Sequence, residues 1–113
     1  MKKRIFKRIP VRLEAYIFSG NKTYLGFIEN VSEGGFQYLV ISSVQTPQEF
    51  NPEKILQIYF QLPSGETLKL FCDVKWHIHN PPDNKTLTLG VEVLDPDPKF
   101  KEFIKTLDIV NVN

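Results

Sequence analysis

From Leu68 to His79 the side chains trade places at every step. Leu68, Leu70, Cys72, Val74, Trp76 and Ile78 fall on one side, and Lys69, Phe71, Asp73, Lys75, His77 and His79 on the other. A period of two belongs to a strand with one face in a core, and no helix gathers that set onto one stripe. The period recurs. Val11, Leu13, Ala15 and Ile17 alternate with Arg12, Glu14 and Tyr16, and Leu56, Ile58, Phe60 and Leu62 form a similar row. Leu87, Leu89, Val91 and Val93 alternate with Thr86, Thr88, Gly90 and Glu92. Tyr24 to Glu29 and Phe36 to Val40 complete a set of six predicted strands.

Turn residues punctuate these strands. Ser19-Gly20-Asn21, Asn30 to Gly35, Pro63-Ser64-Gly65-Glu66 and Asn80 to Asn84 are hairpin-length, while residues 41–53, with Pro47 and Pro52, form the longest irregular connection. Short antiparallel strands joined this way predict an all-β, six-stranded antiparallel closed barrel, because closure removes exposed edges. After Asp95-Pro96, Asp97 is placed to cap a C-terminal α-helix with Pro98 at its first position. Phe100, Phe103, Ile104 and Leu107 then share one helical stripe for packing on the barrel.

The 113 residues make one domain. Residues 1–10 read as a basic ligand-binding arm, with 11–113 as the barrel and its helix. Lys2, Lys3, Arg4, Lys7, Arg8 and Arg12 are six of the 14 basic residues, and no acid precedes Glu14. Net charge is only +1, so the positive charge is an arm and not a field, which argues against general nucleic-acid or DNA binding. One cysteine fits a reducing compartment. No signal peptide and no stretch of ~20 apolar residues is evident, so the expectation is a cytoplasmic protein without membrane insertion.

All three arginines lie in the first twelve residues, two of them as Arg4-x-x-x-Arg8. A guanidinium is a planar fork that grips a guanine edge or a phosphate with two parallel hydrogen bonds, as an ammonium cannot. Its composition makes the arm an expected switch, ordered when ligand is bound. Downstream, Asn30-Val31-Ser32-Glu33-Gly34-Gly35 supplies a polar turn. With the run Leu89-Gly90-Val91-Glu92-Val93 after a Trp-bearing strand, these two segments resemble the PilZ domain family, whose signature is R-x-x-x-R followed by [D/N]-x-S-x-x-G. The resemblance covers nearly the whole chain.

The resemblance implies a six-stranded split barrel that binds the bacterial second messenger cyclic di-GMP and signals by changing shape. On that analogy Arg4 and Arg8 contact guanine edges and phosphates, Asn30 and Ser32 hydrogen-bond a guanine, and Gly35 shapes the turn. Lys3, beside Arg4, is a candidate for a second guanine. Guanine's N7 and O6 suit an arginine fork, and its N1–H and amine suit the oxygens of Asn30 and Ser32. Gly34 and Gly35 are expected to supply positive φ or a close approach. The implied partners are cyclic di-GMP, with no other cofactor, and a downstream effector in motility, pilus or exopolysaccharide machinery. An adaptor of motility or type IV pilus machinery that binds no nucleotide is the alternative.

Other readings are weaker. His77 and His79 share a strand face, but no third metal ligand is evident and Cys72 lies opposite. Trp76 alternates with core positions and is expected in the core, although a surface Trp can stack on a base. Ser32 lacks the glycine setting of a hydrolase nucleophile and any supporting triad, so no enzyme is expected.

Overall fold

The computed structural model describes residues 8–19, 21–41, 50–82 and 85–110, the last three by backbone alone. Six strands run in sequence: β1 (Ile9–Ser19), β2 (Lys22–Val31), β3 (Gly35–Val40), β4 (Ile55–Gln61), β5 (Thr67–Asn80) and β6 (Thr86–Leu94). One helix, α1 (Pro98–Val110), follows. All strand pairs are antiparallel, and the order β1-β2-β3-β6-β5-β4 closes on itself into the expected barrel. Closure gives every strand two neighbours, with β1 meeting β4 over Ala15–Phe18.

The alternation fills the interior. Ala15 and Ile17 of β1, Ile28 of β2, Tyr38 and Val40 of β3, Ile58 of β4, Leu70, Cys72 and Val74 of β5 and Leu89 of β6 are almost wholly buried. Tyr38 takes a polar group into that core, where its hydroxyl donates to the Ala15 carbonyl at 2.7 Å. The strand β1 begins two residues before Val11, and Ile9 is buried beside Val31. Phe50, at the end of the long irregular connection, is also buried and meets Tyr24 edge to face at 5.2 Å.

The sequence pattern misplaces the second half of β5. Val74 lies opposite Val91 but Trp76 lies opposite Gly90, so Lys75 is an extra residue in the ladder. A one-residue bulge turns every later side chain to the other face. Trp76 and Ile78, expected in the core, are therefore exposed at 37% and 54%. His77 turns partly inward, and its Nδ1 bonds the Phe50 carbonyl at 2.9 Å.

The helix starts as predicted: the Asp97 carboxylate accepts from the Lys99 N–H at 2.8 Å, and Pro98 occupies the first helical position. Phe100 and Ile104 are buried, with Phe103 and Leu107 packed against the core. Phe100 and Phe103 meet Phe60 at 6.4 and 5.8 Å. A Lys99–Glu66 ion pair ties the helix start to the β4–β5 turn. Among the described residues no helix is long and apolar enough to cross a membrane.

Burial pushes the Cys72 thiol up to about 12. Since the thiolate is the nucleophile, Cys72 is expected to resist alkylation at pH 8 in the native protein and to react once urea unfolds it. Mass spectrometry after timed iodoacetamide treatment checks this. Rapid native labelling would contradict the sealed barrel.

Candidate functional site

The polar turn sits where β2 leaves the barrel. Two β1 residues, Pro10 and Val11, stand against the single Asn30 of β2, because Ile9 pairs with Val31 and Arg12 with Glu29. Asn30 takes up this irregularity with φ of 52°, a left-handed conformation that asparagine tolerates better than most residues. The expected positive φ is therefore at Asn30, and not at Gly34 or Gly35. What Gly35 provides is proximity, since a Cβ there would stand 2.1 Å from the backbone oxygen of Val91 on β6. That contact is with main chain, so no side-chain rotation relieves it.

Ser32 closes the turn. Its backbone N–H donates to the Gly35 carbonyl at 2.8 Å and its hydroxyl donates to the same oxygen at 3.1 Å. The hydroxyl oxygen in turn accepts from the N–H groups of Gly34 and Gly35, each at 3.3 Å. With the residue only 7% exposed, its bonding capacity is spent inside the turn.

Asn30 is disposed differently. Its Nδ2 donates to Gln37 Oε1 of β3 at 2.9 Å, which fixes the amide and leaves Oδ1 with no partner among the described residues. Arg8 reaches the same residue from the other side, its Nη1 donating to the Asn30 carbonyl at 3.3 Å. One arginine of R-x-x-x-R thus rests on the first residue of N-x-S-x-x-G. Lys3 and Arg4, and the expectation that the arm orders on binding, fall outside the described residues.

An aromatic surface lies beyond Gln37, formed by the Trp76 ring that the bulge turns out of the core. Gln37 stands opposite Gly90 of β6, and Gly90 lies beneath the Trp76 indole. A Cβ on Gly90 would stand 2.1 Å from Trp76 Cε2, so glycine is what lets the ring lie on the sheet. The signal was available: a glycine inside a strand pattern marks a bulge or a close approach. Gln37 carried no such signal and was missed.

Neighbouring charges are engaged. Arg12 stacks over the Phe27 ring at 4.5 Å and lies 3.9 Å from Glu29. Lys75, at the bulge, pairs with Glu92 at 3.2 Å and Asp73 at 3.3 Å; hydrogen bonds to these carboxylates, Glu92 foremost, raise its pKa. His77 and His79 meet at 5.8 Å, but no group of three His, Cys, Asp or Glu side chains among the described residues forms a metal set. The Arg8 guanidinium, the Asn30 amide at the end of β2 and the Trp76 indole on Gly90 thus lie along one side of the barrel, linked through Gln37 of β3. Together these can hold a planar group with acceptors on one edge and donors on the next.

A family model described as PilZ domain matches residues 2–107. No curated protein matches at a significant level. Among solved structures, the Bacillus subtilis inhibitor of motility MotI (DgrA) superposes with a TM-score of 0.76 at 13% identity, over 100% of this chain and 55% of that one. The PilZ domain of YcgR from Escherichia coli, solved with c-di-GMP, gives 0.72 at 16% identity, over 96% of this chain and 94% of that one. The K. pneumonia MrkH–c-di-GMP complex gives 0.70 at 16% identity, covering 97% and 52% respectively. The chain spans about half the length of MotI and MrkH.

Proposed function

Because the chain belongs to the PilZ domain family, we propose that it is a receptor for cyclic di-GMP that passes the signal to a downstream protein. The observation that supports this most is the contact of Arg8 with Asn30, which brings the two halves of the family signature together. In this reading Arg8, with Arg4, grips N7 and O6 of guanine and the phosphates. The Asn30 Oδ1, on an amide held by Gln37, accepts from N1–H and the amine. Trp76 offers a face on which a base can stack. Ser32 and Gly35 hold the turn that places Asn30, and Lys3 is the candidate for a second guanine.

Calorimetric titration tests the proposal. Cyclic di-GMP is expected to bind saturably, and GMP and GTP not comparably, because neither offers two guanines joined through paired phosphates. No heat and no melting shift at high ligand would overturn it and leave the nucleotide-free adaptor.

Asn30 and Ser32 should behave as different kinds of residue. Ser32→Ala is expected to lower stability by about 1 kcal/mol, through lost turn hydrogen bonds, with a smaller effect on affinity. Asn30→Ala is expected to lower affinity more than stability, with Asn30→Asp tolerated because an acceptor remains. Gln37→Leu should weaken binding in the same direction by freeing the amide to turn. Melting temperature and dissociation constant, measured for each variant, check the division. Unchanged affinity in Asn30→Ala would remove that residue from the site.

A further inference from the structure

Away from the site, one outer face of the barrel is unusually apolar. Tyr16, Tyr59 and Lys69 form one row across β1, β4 and β5, and Phe18, Gln57, Phe71 and Leu94 form the next, extended to β6. Tyr16, Phe18 and Phe71 are exposed at 42%, 42% and 44%. Phe18 and Tyr59 meet at 4.6 Å, and Lys69 reaches over Tyr59 and Phe71 at 5.9 and 5.5 Å. Contiguous exposed rings rimmed by polar groups mark a surface that another protein covers.

The charges say what that protein is. Four other barrel carboxylates have a basic partner: Glu29 meets Arg12, Asp73 and Glu92 meet Lys75, and Glu66 meets Lys99. Glu14 and Lys69 are both exposed, share this face and make no ion pair with any described residue. The face thus carries an acid and a base, set apart across the rings.

We infer that this face binds a second copy of the chain in a two-fold dimer, each Glu14 paired with the partner's Lys69. An isologous contact needs such self-complementarity, residue i meeting j and j meeting i. Glu14 and Lys69 are separated by two strand spacings and two residues, about 12 Å on the sheet. A two-fold axis in the contact plane that exchanges them runs along Tyr16, Phe18 and Tyr59. Those rings then pack against their own copies, with ion pairs on either side. A recess of about 450 Å³ bordered by Leu13, Glu14, Tyr16, Tyr59 and Thr67 lies beside the axis to receive a side chain. A net charge of +1 leaves little repulsion between copies.

Sedimentation equilibrium over a concentration series, without nucleotide, tests the inference. The wild-type chain is expected to pass from monomer to dimer, and Lys69→Glu and Glu14→Lys each to hold it monomeric by opposing like charges. The double variant, Glu14→Lys with Lys69→Glu, is expected to dimerise again. Circular dichroism confirms that each variant is folded. A wild-type chain that stays monomeric overturns the inference and leaves the face to a different protein. A dimer that either single reversal leaves intact, or that the double reversal fails to restore, overturns this geometry.

Discussion

Arg8→Ala is expected to weaken cyclic di-GMP binding by about five- to 150-fold, with the fold intact. One bidentate arginine–guanine contact is worth about 1–3 kcal/mol, which converts to that range of dissociation constants. Stability should hardly move, because among the described residues the side chain makes a single hydrogen bond, an exposed one 3.3 Å long to the Asn30 carbonyl. Arg8→Lys is the sharper variant. It keeps the charge and loses the fork, so it should recover little of the affinity. Lysine restoring wild-type binding would show that the arm acts by charge alone. Calorimetry of both variants, beside urea melts, separates loss of ligand from loss of structure.

Phe100→Ala is expected to lower stability by about 3–5 kcal/mol, the usual loss for truncating a buried aromatic. Phe100 is fully buried and stands edge to face on Phe60, so it anchors α1 to the barrel. Against a typical total of about 5–15 kcal/mol, this single change takes a large share. Lys101→Ala, on the exposed side of the same helix, should stay within about 0.5 kcal/mol. Equivalent urea midpoints for the two variants would show that the helix is not docked through this ring.

The barrel and its terminal helix were legible because each rests on a local rule. Alternation held through β1, β4 and the first half of β5, and Asp97-Pro98 began a helix by simple capping chemistry. Gly65 took the positive φ that its turn demanded. What failed was non-local. A bulge at Lys75 depends on how β5 meets β6, so period-two counting carried Trp76 into the core when the ladder turns it out. Phe50 is buried by Tyr24, a distant residue that spacing does not bring to mind.

The same division runs through the site. Arg8 and Asn30 are recognisable as a pair of motifs, and the structure sets them in contact. Gln37 is an ordinary polar strand residue in the sequence, and its hold on Asn30 exists only once β2 and β3 are side by side. Ser32 carries the hydroxyl the motif requires, but a sequence does not show that the turn itself consumes that hydroxyl.

Trp76 is the chain's single tryptophan, and it stands on Gly90 opposite the residue that holds Asn30. Its fluorescence during a cyclic di-GMP titration therefore reports on the proposed site directly. A saturable change in emission is expected, one that follows the calorimetric isotherm and is absent in Arg8→Ala at the same ligand concentration. Saturation by calorimetry with unchanged Trp76 emission would place the ligand elsewhere, and no binding by either measurement would contradict the receptor reading itself.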